Sequence, residues 1–146
     1  MNILVSACLM AVPCRYDGSG YEPPQITELK KHHRLIPFCP EVAAGLSVPR
    51  MPNEILNGRV ITKDGTDLTA SFDEGAQKTL EAALKNDCTI AILKQRSPSC
   101  GYGQIYDGTF SGKLITGNGI TAQLLHDHTI TVISEYEIND FINSKE

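Results

Sequence analysis

Residues 1–14 read Met1-Asn2-Ile3-Leu4-Val5-Ser6-Ala7-Cys8-Leu9-Met10-Ala11-Val12-Pro13-Cys14. The apolar run from Asn2 to Ala7 is rich in β-branched residues and ends against a thiol, so it reads as a buried strand with Cys8 just past its carboxyl end. It lacks the positively charged lead of a signal peptide and is taken as mature sequence. Three more runs of this kind follow, from Arg34 to Phe38, Thr89 to Lys94 and Thr129 to Ser134. Helical patterns lie between them. The clearest, Ser71 to Asn86, places Phe72, Ala76, Thr79, Leu80, Ala83 and Leu84 on one face, with Ser71 and Glu74 as a capping box. Shorter helices are expected from Ile26 to His32 after Pro23-Pro24, from Ile120 to His126 after Gly117-Asn118-Gly119, and from Ser134 onward with Glu137 as capping partner.

Buried strands alternating with helices predict an α/β fold. We expect one domain over residues 1–146: a Rossmann-like parallel sheet of about four strands, helices on both faces, and long functional loops at the C-terminal edge. Right-handed crossovers predict the strand order 2-1-3-4, with the switch point between the strands that lead to Cys8 and Cys100. Two Gly- and Pro-rich segments, Pro40 to Ser71 and Gly101 to Gly119, interrupt the alternation. Within them Arg59 to Thr62 reads as a short edge strand and Gln104-Ile105-Tyr106-Asp107-Gly108 as a short strand running into a turn. Connections this long in a compact domain are usually functional.

The chain has 146 residues, 13 Lys+Arg against 17 Asp+Glu, and a net charge of −4. That balance argues against a protein whose task is gripping nucleic-acid backbone, which needs a basic face. No apolar run reaches the ~18–20 residues that cross a bilayer. A cytoplasmic protein acting on a small molecule is the expectation, with no nucleic-acid partner and no membrane; a homo-oligomer is compatible with the sequence. A length of this order buries a core without help from disulfides or metal, so any metal would serve chemistry. The five cysteines are therefore the feature to explain.

Cys8, Cys39 and Cys100 all follow the carboxyl ends of predicted strands, where open α/β sheets bind their ligands. Cys88 opens the third strand at the opposite edge and reads as a small buried apolar residue. Cys14 either folds back to the site or faces elsewhere in its loop. On geometry alone such thiols suit zinc, an iron–sulfur cluster or a dithiol redox pair. No Cys-x-x-Cys occurs, which weakens the zinc-ribbon and thioredoxin readings. His32, His33, His126 and His128 fall at helix ends and suit capping better than ligation.

Several motifs stand in order: Val5-Ser6-Ala7-Cys8-Leu9 continuing to Cys14-Arg15-Tyr16-Asp17-Gly18; Cys39-Pro40-Glu41-Val42 with Gly45-Leu46 and Pro49-Arg50; and Ser97-Pro98-Ser99-Cys100-Gly101 with Ile105-Tyr106-Asp107-Gly108-Thr109-Phe110. Together they resemble the 2-thiouracil desulfurase family. The resemblance implies a [4Fe–4S] cluster held by Cys8, Cys39 and Cys100, the three thiols already singled out at the sheet edge. It further implies a non-redox desulfuration in which the sulfur of a thiolated pyrimidine binds the iron left without a protein thiolate. By matching motif positions, Glu41 would activate water or shuttle protons, and Ser97 would hold the base or the water. Ser99 and Arg50 are expected to bind substrate, although an arginine paired to a structural carboxylate is the commoner arrangement. Asp17-Gly18 and Asp107-Gly108 are read as turns shaping the pocket. Sulfur transfer on another thio compound and a cluster- or zinc-bearing regulatory module are the competing readings.

Overall fold

The computed structural model describes residues 1–144. Four strands form a parallel sheet: β1 (Asn2–Ser6), β2 (Arg34–Phe38), β5 (Ile90–Leu93) and β8 (Thr131–Ser134), in the order β2-β1-β5-β8. This is the expected 2-1-3-4 order, with the order of strand addition reversing between β1 and β5 while all four strands stay parallel. Two antiparallel hairpins stand outside the sheet. One pairs β3 (Asn53–Leu56) with β4 (Arg59–Thr62), and the other pairs β6 (Gln104–Tyr106) with β7 (Leu114–Thr116). The helices are α1 (Pro24–Leu29), α2 (Pro40–Ala43), α3 (Thr69–Lys85), α4 (Ile120–Asp127) and α5 (Ile138–Ser144).

Strand alternation divides the core in two. Ile3, Val5, Ile90 and Ile92 pack with Ile26 and Leu29 of α1 and Ile138 of α5. Leu4, Ala91 and Leu93 point the other way and pack with Leu80 and Ala83 of α3 and Ala122 and Leu125 of α4. Helices therefore cover both faces, as a doubly wound sheet requires. Each large side chain buried this way contributes roughly 1.5–3 kcal/mol. Pro37 sits on the outer strand β2, paired in register with Val5; an edge strand tolerates the missing N–H.

Element ends depart from expectation for local reasons. The long helix begins at Thr69, before Ser71, because Asp67 Oδ1 accepts the Thr69 N–H at 2.9 Å and sets the entry turn. The Ser71–Glu74 box therefore falls inside the helix. The last strand begins at Thr131, since Thr129 is held at φ 62°, outside the extended region. The first helix runs over Pro24–Leu29, starting and ending earlier than the expected Ile26 to His32. The Ser134–Glu137 capping box is present and caps a short 3-10 turn, Glu135–Glu137, that leads into α5.

Candidate active site

A cavity of about 540 Å³ opens at the carboxyl ends of the sheet strands, a size suited to a small-molecule site. Its floor is the switch point between β1 and β5. Cys8 reaches it from a 3-10 turn, Ala7–Met10, directly after β1. Cys39 follows β2 as the N-cap of α2, in extended conformation, with Pro40 at the first helical position. Cys100 lies in the turn after β5. All three line the cavity. Cys88 does not, and is buried at 3% exposure in the core beneath α3 and α4.

Cys14 also lines the cavity and is buried. The loop after Cys8 brings it back, and the Cys39 thiol approaches its carbonyl at 3.9 Å. A hydrogen bond with Cys39 favours the Cys14 thiolate, but a hydrogen bond with Cys8 and burial outweigh it, pushing the thiol up to about 11. The hydrogen bond with Cys14, together with burial, raises Cys39 in turn. Burial pushes Cys100 up to about 12. Burial thus favours the neutral thiols in the absence of metal, and a bound cluster would take the protons from its ligands Cys39 and Cys100.

The donor set fits an iron–sulfur cluster. Soft sulfur ligands come from three separate turns around one cavity. Among the described residues, no three His, Cys, Asp or Glu side chains are grouped to hold a single ion. A cubane takes its thiolates at separate corners and accepts a wider set.

Glu41 and Arg50 face the cavity as a pair. Arg50 Nε donates to Glu41 Oε2 at 2.7 Å and Nη2 donates to the same oxygen. The guanidinium also donates to the carbonyls of Ser47 and Cys14, at 3.1 and 3.0 Å. Arg50 thus fixes both the Glu41 carboxylate and the Cys14 loop, with their side chains only 9% and 13% exposed for Arg50 and Glu41. Ser97 lines the cavity as well. Its Oγ accepts the N–H groups of Ser99 and Cys100, both at 3.0 Å. Both lone pairs being engaged, the hydroxyl is left as a donor. Ser99 does not line the cavity; its hydroxyl pairs with Thr121 Oγ1 at 2.8 Å behind the cysteine turn.

Other walls were not singled out from the sequence. Phe38, Tyr106 and Phe110 supply apolar and aromatic surface, while Asn53, Glu54 and Arg96 supply polar groups. Lys94, also in the wall, is held by Glu135 at 2.8 Å. The Asp107-Gly108 turn does shape the pocket: it brings Phe110 into the wall beside β3. No helix among the described residues is long and apolar enough to cross a membrane.

Comparison with known proteins agrees with this geometry. An uncharacterized protein of Bacillus subtilis (strain 168), YbbK, is 45% identical over 150 residues, covering 96% of this chain and 99% of its own. A solved structure described as the [4Fe-4S]-dependent thiouracil desulfidase TudS superposes with a TM-score of 0.92 at 42% identity, over 98% of this chain and 96% of that one. The family described as 2-thiouracil desulfurase matches residues 3–137. With three thiols at the switch point and a match over nearly its whole length, the chain belongs to the 2-thiouracil desulfurase family.

Proposed function

We propose that this chain is a [4Fe–4S]-dependent enzyme that converts thiouracil and water to uracil and sulfide without net oxidation or reduction. The observation that carries this reading is the meeting of Cys8, Cys39 and Cys100 in one cavity with Glu41 and Ser97. Cys8, Cys39 and Cys100 would hold the cluster. When bound, the cluster supplies a Lewis-acidic iron for the soft thione sulfur, which draws electron density from the carbon to be attacked.

The chain's own groups do the rest. Glu41 accepts a proton from the water that adds to the thione carbon, its carboxylate held in place through one oxygen by Arg50. The Ser97 O–H donates to the water or to the oxygen that becomes the new carbonyl. Glu41 returns that proton to the departing sulfur and takes the remaining hydroxyl proton as the C–S bond breaks and C=O forms, so sulfide leaves as hydrosulfide with no change of oxidation state. Arg50 acts on substrate through Glu41, and Ser99 braces the turn that carries Cys100. A reducing compartment such as the cytoplasm suits the free thiols.

The test is anaerobic reconstitution with iron and sulfide, followed by assay of thiouracil loss, uracil formation and sulfide release. Equimolar uracil and sulfide, with no added reductant consumed, is the expected result. A brown protein inert on thiouracil would favour sulfur transfer on another thio compound.

A further inference from the structure

Two adjacent residues of β3, Asn53 and Glu54, form one wall of the cavity and are buried at 8% and 9% exposure. Glu54 has no cationic partner among the described residues. Burying a carboxylate is costly unless its oxygens are hydrogen-bonded, and here only one is. Oε1 accepts the N–H groups of Gly108 at 3.0 Å and Phe110 at 3.1 Å. Oε2 accepts from no donor among the described residues, yet it is not among the side-chain atoms sealed from solvent. Asn53 Oδ1, by contrast, is sealed from solvent with no donor among the described residues.

The fold goes to some length to fix Glu54. Gly108 sits at φ +93°, and a Cβ there would lie 2.7 Å from Leu56 Cβ and 2.8 Å from the Ile55 carbonyl. Only glycine lets the 107–110 turn press onto β3 closely enough to deliver both N–H groups. The result is a fixed carboxylate with one oxygen satisfied by the turn and the other open to solvent. A solvent-reached carboxylate oxygen without a protein donor, in the wall of a small-molecule cavity, calls for a ligand that brings an N–H group, as a pyrimidine ring does.

We propose that Glu54 is a substrate-binding residue whose Oε2 accepts a ring N–H of the pyrimidine, fixing which way the ring faces the thiols. This rests on the thiouracil reading above. A purely structural Glu54 would staple the 107–110 turn and nothing more. Glu54→Gln separates the two roles, because an amide oxygen can still accept from Gly108 and Phe110 while the amide N–H₂ turns the cavity-facing acceptor into a donor.

Reconstituted wild type and E54Q should be compared for iron content, melting temperature, and affinity for uracil, 1-methyluracil and 3-methyluracil. We expect iron and melting temperature to be kept, and uracil affinity to fall about 10- to 100-fold, as for a lost hydrogen bond to a charged acceptor. One N-methyl compound should bind wild type more weakly than uracil by a similar factor, and E54Q should lose that discrimination. Equal uracil binding by E54Q would overturn the proposal. So would wild type binding uracil and both N-methyl compounds alike, a result that needs no variant. Wild type that neither binds uracil nor consumes thiouracil would overturn the reading beneath it instead.

Discussion

Arg50 illustrates what a single residue's neighbours decide. Between Pro49 and Met51-Pro52 it could have faced substrate or a carboxylate; it donates twice to Glu41 Oε2 and once each to the Ser47 and Cys14 carbonyls. Its planar fork makes that clamp possible and lysine could not reproduce it. Glu41 was legible in the sequence beside Cys39, and a carboxylate partner was the commoner expectation for Arg50; that the partner is Glu41 was not legible, because the two meet only after the Val48–Pro49 segment folds back. Glu41→Gln should lower kcat by about 10²–10⁴-fold, the range for a lost proton acceptor, with iron content unchanged. Steady-state kinetics and iron analysis on the same preparation check it, and retained kcat would remove Glu41 from proton transfer.

At the scale of elements, the turn that carries Cys100 depends on the start of α4. Thr121 and Ala122 N–H groups donate to the Ser99 carbonyl at 2.9 and 3.1 Å. A Cβ on Gly119 would come within 2.5 Å of that carbonyl. The Gly117-Asn118-Gly119 sequence suggested a tight turn; the reason for Gly119 is this close approach, which no local pattern reveals. Gly119→Ala should cost about 1–3 kcal/mol through overpacking and reduce iron occupancy by displacing Cys100. Calorimetry with iron analysis would show both, and an unchanged iron content would separate the turn from the site.

The entry to α3 carries its own test. Hydrogen bonds from Thr69, helped by Arg59, hold the Asp67 carboxyl down to about 2, against an ordinary value of 3.8. A lowered folded-state value stabilises the fold above the unfolded value, and that contribution is lost as pH falls through the folded one. The stability advantage of wild type over Asp67→Ala should be constant at neutral pH and shrink between about pH 4 and pH 2. Denaturant titrations across that window measure it; a gap that does not narrow in acid would contradict the assignment.

Over the whole molecule, the sheet was the legible part. Four β-branched runs and three thiols at their carboxyl ends yield the order β2-β1-β5-β8 and the position of the site, because strand twist and right-handed crossovers leave few alternatives. The cavity walls were legible only in part: Arg59–Thr62, the strand at Gln104 and the Asp107-Gly108 turn were expected, but their partner strands were not. Asn57-Gly58, at φ 51° and 76°, closes the β3–β4 hairpin, yet Asn53–Leu56 is too short and mixed to read as a strand. Leu114–Thr116 is shorter still. These hairpins meet the cysteines through contacts such as Glu54 to Gly108, which join residues far apart in the chain and leave no periodic trace.

The central claim is that Cys8, Cys39 and Cys100 hold the cluster while Cys14, in the same cavity, does not. Iron content after anaerobic reconstitution tests it most directly, measured on Cys39→Ala and Cys14→Ala against wild type. The account predicts about four iron atoms per chain in wild type and in Cys14→Ala, and loss of nearly all iron in Cys39→Ala. A Cys14→Ala protein that loses its iron, or a Cys39→Ala protein that keeps a full complement, would contradict it.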